Sequence, residues 1–166
     1  MFGLTALGIA HTAVSLAAIV AGAWAFVRDK EIVPGNRLGK LYLAATVFTA
    51  ASALMIFRHG GFRIGHWFAV ATLLAVAIGS VAAATLLFGR AARYVQAFFY
   101  SATMLIHLIT GSAETLTRLP PSGPLITAAN AFLFKDIIVG LVLAFLVSLA
   151  AQFRWIHLRS KAEIAR

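Results

Sequence analysis

The sequence predicts an all-α integral membrane bundle of five transmembrane helices, and three observations carry that expectation. Of 166 residues, 61% are hydrophobic and 11% charged, against about 25% charged in ordinary globular chains. Apolar runs recur along the whole length, and a hydrocarbon core needs about 20 helical residues to cross. The basic residues sit in short clusters between those runs, as they do where they set membrane orientation. No stretch of about 50 residues is left for a separate soluble domain, so residues 1–166 read as one polytopic domain. Spans are expected at about 4–27, 40–57, 66–88, 94–117 and 132–153.

The formal charge of +9 does not point to nucleic acid, because the cations are divided among loops rather than gathered on one face. The chain has no cysteine, which excludes disulfides, thiolate metal ligands and a cysteine nucleophile. Any redox chemistry would need a cofactor.

The first span reads as a membrane helix rather than an export signal, since no basic residue precedes it while Arg28 and Lys30 follow it, the reverse of a signal's charge order. Gly8, Ser15, Ala18 and Gly22 share a face with His11, a small-residue groove where another helix can come close. That face, with His11, is expected to point inward. Pro34 and Gly35 then favour a turn. In the second span Tyr42, Thr46 and Thr49 share a face suited to hydrogen bonds with a neighbouring helix or with their own backbone. Arg58 to Gly65 is a tight, glycine-rich connection. The third span is rich in alanine, with Gly79 and Ser80 near its middle, as suits the centre of a bundle. Prolines 120, 121 and 124 stop the fourth span. The fifth opens with Lys135 and Asp136 and ends in a short basic tail, helical at first.

Counting basic residues orients the chain. Arg28, Lys30, Arg37, Lys40, Arg90, Arg93, Arg154, Arg159, Lys161 and Arg166 fall on one side, ten of the fourteen. Arg58, Arg63, Arg118 and Lys135 fall on the other. Basic loops are retained in the cytoplasm, which places the amino terminus outside and the carboxyl terminus inside a bacterial-type inner membrane. Trp24, Tyr42, Tyr94 and Trp155 would line the inner interface and Trp67 the outer one. No internal repeat of the kind that builds many transporters is visible.

The fourth span concentrates the chemistry. At helical spacing Tyr100, Met104, His107, Gly111 and Glu114 form one stripe, and an ionisable group at membrane depth is a functional hypothesis by default. His11 and His107 each lie about nine residues, roughly 13 Å, inside the outer boundary, and two imidazoles on facing helices are axial ligands for a b-type haem. Tyr100 and Met104 would line that site, although methionine more often fills gaps in packing. Arg58, Arg63, Arg118 or Lys135 would pair with the propionates. His11, His66, His107 and Glu114 are the alternative set, for a transition metal. A third possibility is a proton or quinone site at His107 and Glu114. His59 and His66 read more simply as loop or cap residues, His157 as interfacial, and each intramembrane histidine has a competing role as an interhelical hydrogen bonder. No HExxH, nucleophile elbow or phosphate-binding glycine loop is present.

The runs HTAVSLAAIVAGAWAF, RLGKLYLAATVFTAASALMIF and FRIGHWFAVATLLAVAIG resemble a family of small bacterial multi-span membrane proteins of unknown function, over roughly the first half of the chain. His11, Leu38-Gly39-Lys40-Leu41-Tyr42 and His66 match its pattern. A His-Arg pair expected before the Leu-Gly stretch is replaced by Gly35 and Asn36. The resemblance implies no activity.

The expectation that leads is a small redox or cofactor-binding membrane protein. Its alternatives are a non-enzymatic accessory or scaffold subunit, associated with another membrane protein or with copies of itself, and a proton-coupled carrier.

Overall fold

A computed structural model describes residues 5–57, 61–120 and 122–164. Leu4, Arg58, His59, Pro121 and Arg166, which entered the sequence argument, lie outside them. The described chain is all-helical, with α1 at Ala6–Asp29, α2 at Arg37–Leu54, α3 at Ile64–Ala84, α4 at Ala92–Leu116 and α5 at Phe132–Ile164. Three of these, α1, α3 and α5, are both long and apolar enough to cross a membrane.

Local chemistry sets the ends. The Thr5 hydroxyl accepts from Gly8 N–H to open α1, and Lys30 closes it in a left-handed conformation at φ 65°. Asn36, after the Pro34-Gly35 turn, accepts from Gly39 N–H at 2.8 Å. That cap starts α2 at Arg37 rather than at position 40. Helix α3 stops at Ala84 rather than near 88, because Thr85 donates its hydroxyl to the Val81 carbonyl and accepts from Leu87 N–H. Leu86 and Leu87 are left exposed in the turn. After α4 the chain folds back on its carbonyls, with Ile126 N–H donating to Leu116 O at 2.8 Å. The tail does not fray after one turn, since α5 continues to Ile164. Its 33 residues extend about 50 Å.

Sequential helices pack as neighbours, and α1 also meets α4. The close approaches rest on glycine. A Cβ on Gly22 would lie 2.7 Å from the Tyr42 ring, and one on Gly79 2.6 Å from the Tyr100 ring. Tyr42 and Tyr100 therefore seat directly on the backbones of α1 and α3, at 0% and 1% exposure. The remaining core is small: Ala18, Ala21, Ala25 and Ala45 with Ile32 and Met104. At the end of the bundle that holds the α1–α2 turn, Glu31 is buried and accepts from Arg93 Nη2 at 2.6 Å, while Gln96 Nε2 donates to the Ile32 carbonyl at 3.1 Å. This ion pair and amide bond fasten the turn to α4.

Candidate functional site

Helix α2 carries Tyr42, Thr46, Thr49 and Ser52 at steps of four, three and three residues, and all four are buried. This spacing keeps their oxygens on one face for about 15 Å of helix. Facing them are His11 and Ser15 from α1 and Thr103 and His107 from α4. The result is a polar file between three helices.

Near the end of α2, His11 Nδ1 lies 2.9 Å from Ser52 Oγ. The Ser52 hydroxyl also reaches the Thr49 carbonyl at 3.0 Å, and when its one proton is given there His11 is the donor. In that arrangement its proton is on Nδ1 and the lone pair on Nε2. Ser15 donates to the His11 carbonyl at 2.7 Å and stands 3.4 Å from Thr49 Oγ1. Further along, His107 Nε2 meets Thr46 Oγ1 at 3.1 Å, with the Tyr42 ring edge-on to the imidazole at 6.3 Å between centroids. Tyr42 OH lies 2.7 Å from Thr103 Oγ1. Since Thr103 spends its proton on the Tyr100 carbonyl at 2.7 Å, Tyr42 donates. Tyr100 OH reaches Ser80 Oγ of α3 at 3.1 Å.

The direction of these bonds decides what the file can do. The Ser52 and Thr103 branches both end on a backbone carbonyl, which accepts a bond and cannot pass a proton onward. Such branches hold helices together and make a poor relay. The proton site expected at His107 and Glu114 also loses its carboxylate: Glu114 lies on the outer flank of α4, its side chain 64% exposed, and pairs with Arg118 at 2.6 Å. The stripe read from the sequence is thus buried at Tyr100, Met104 and His107 and leaves the core before Glu114.

The metal set is not assembled either. His66 accepts from Arg63 N–H through Nδ1 at 3.1 Å and stacks between Phe57 and Phe62, at 4.7 and 4.9 Å between centroids. Among the described residues no three His, Asp or Glu side chains come together as metal ligands. A bis-imidazole haem would need both rings to turn a nitrogen toward a common iron across an open gap. Here His107 gives Nε2 to Thr46, and Tyr42 and Met104 fill the contact between α1 and α4, both buried. Along α2 the two imidazoles bond six residues apart, His11 at Ser52 and His107 at Thr46. Lys135 and Asp136, at the start of α5, are exposed.

Two features escaped the sequence reading. Arg93 counted only as an orientation signal, whereas it holds the buried Glu31. Gln152 of α5 had no signal beyond being an amide in an apolar run, yet it is 4% exposed. It accepts from Ser101 Oγ at 3.0 Å, and its Nε2 has no partner.

No family model, curated protein or solved structure matches the chain.

Proposed function

We propose that this chain is a five-span membrane protein, with its amino terminus outside and its carboxyl terminus cytoplasmic in a bacterial-type inner membrane, and that it works as a non-enzymatic subunit of a larger membrane assembly. In this reading α2 and α4 cross the bilayer despite their polar residues because those residues are paired inside the bundle, where lipid does not meet them. Ten of the fourteen basic residues then face the cytoplasm. The first-half resemblance fits this reading, since Gly39 and Tyr42 of the matching stretch are buried on α2 and His11 is half-buried on the facing helix.

The observation that carries the subunit role is the outer half of α5, where no residue from Phe132 to Ser148 is buried. Gly140, Ala144 and Ser148 form an exposed file at four-residue steps, and a methyl placed on Gly140 would meet no atom within 4 Å. Such files let a second backbone approach, which lipid alone does not require. The occupant is a helix of another membrane chain. Tagged protein purified in mild detergent should bring that chain with it, and Gly140→Leu with Ala144→Leu should release it while the bundle stays folded. A lone, monodisperse wild-type particle would overturn the reading.

A second reading keeps a cofactor role for His11, because with Nδ1 bonded to Ser52 its Nε2 offers the lone pair that a metal or haem iron takes. An absorbance spectrum of the same preparation before and after dithionite, with metal analysis, tests it. A Soret band or stoichiometric metal lost in His11→Ala would establish it.

A further inference from the structure

The open face of α5 does not stop where the span ends. Gly140, Ala144, Val147, Ala151, Arg154, Leu158 and Lys161 follow one another at alternating steps of four and three residues, and all are exposed. Such steps repeat every seven residues, the period a helix keeps when it packs along a second helix in a left-handed supercoil. The seam is about 32 Å long.

Its character changes along its length. On the five-span reading Gly140 to Ala151 lie at hydrocarbon depth, where small side chains let a second backbone come close. Arg154 stands at the cytoplasmic boundary, since the span ends near residue 153, and Lys161 lies about 11 Å further on. Among the described residues neither Arg154 nor Lys161 has an ion pair or hydrogen bond, whereas Arg28, Arg93, Arg118 and Arg159 are all engaged. Leu158, 54% exposed between the two cations, stands past the reach of the lipid tails.

We propose that the occupant of this seam is a membrane helix with two carboxylates, one heptad apart, at its cytoplasmic end and an aliphatic side chain between them. The inference rests on the subunit reading and names the chemistry of its partner. The carboxylates pair with Arg154 and Lys161, and the aliphatic residue covers Leu158. A second copy of this chain does not supply them. Two copies share one membrane orientation, so a two-fold pair would set Arg154 against Arg154 and Lys161 against Lys161, and like charges in register oppose association. The two ion pairs also fix the register, because a slip of one heptad leaves a cation facing an apolar side chain.

The probe is a synthetic membrane-spanning peptide of leucine and alanine, with two glutamates seven residues apart at one end and leucine between them. Its lysine counterpart is the control. With the full chain titrated into either peptide in neutral, mild-detergent micelles, fluorescence anisotropy should show the glutamate peptide held about tenfold more tightly, the worth of two partly exposed ion pairs. Arg154→Glu with Lys161→Glu should reverse that order, Arg154→Lys should keep it, and Gly140→Leu with Ala144→Leu should weaken both peptides. These positions are all exposed, and circular dichroism checks the fold. Equal binding of the two peptides, or an order that the double charge reversal leaves unchanged, would overturn the proposal and leave the cations to lipid headgroups. A dimer of the chain alone, lost in Gly140→Leu with Ala144→Leu, would give the seam to a second copy instead. In co-purification, a companion that stays with Arg154→Gln plus Lys161→Gln refutes the acidic partner and leaves the subunit role standing. The absence of any companion refutes the role, and the peptides then judge the seam by themselves.

Discussion

The Tyr42 hydroxyl stands 2.7 Å from the Thr103 hydroxyl, tying α2 to α4 where Gly22 lets α1 lie against the Tyr42 ring. Interhelical bonds of this type contribute about 0.6 kcal/mol on average and up to about 1.7 in membrane bundles. Tyr42→Phe and Thr103→Val should each lower the unfolding free energy in mixed micelles by about 1 kcal/mol. The double variant should cost less than the sum, and strictly additive losses would show that the two hydroxyls do not communicate.

Glycine substitutions should separate the packed from the unpacked regions. Gly79→Ala drives a methyl to 2.6 Å from a Tyr100 ring that is 1% exposed and held by Ser80, and overpacking of that kind costs about 1–3 kcal/mol. Gly140→Ala meets nothing in this chain and replaces a poor helix former with a good one, a gain of up to about 1 kcal/mol. Melting of the two purified variants checks the opposite signs.

Glu31→Gln should destabilise the bundle by about 2 kcal/mol, short of the 3–5 for a broken fully buried pair, because the Arg93 side chain is 31% exposed and solvent screens it in part. Arg93→Gln in the same background should restore part of the loss, since it removes the uncompensated cation. An unfolding series over the four proteins measures the coupling.

The absence of native cysteine makes single-cysteine labelling clean. In whole cells Ser122→Cys should react with an impermeant maleimide, and Gly35→Cys should react only after lysis. Both positions are exposed in turns. Labelling of both in intact cells would refute the five-span orientation.

Treatment with a strong chelator should leave the melting temperature unchanged, since among the described residues no three His, Asp or Glu side chains come together as metal ligands. A drop of several degrees, reversed by one added metal, would contradict that arrangement.

The turn chemistry and the small faces were legible one residue at a time. Pro34-Gly35 and Pro120 to Pro124 break the chain where the turns fall, and Gly8, Ala18 and Gly22 form the face that α1 buries. The α2 hydroxyl face was legible as a packing face, but not its partners. Spacing places Glu114 above His107 on one stripe, yet four residues further on Arg118 offers a cation at the protein surface, and spacing cannot say where a bundle ends.

By itself the sequence determined that this chain is helical, apolar and divided into five elements, because run length, backbone-breaking residues and capping side chains act within a few residues of where they stand. Only the tertiary structure decided what the polar groups do. Thr46 and His107 are 61 residues apart, Glu31 and Arg93 are 62, and Ser101 and Gln152 are 51. In a buried medium each such group takes the nearest geometrically suitable partner, and nearness across helices is a property of packing, set here by two glycines that let two tyrosine rings come close to neighbouring backbones.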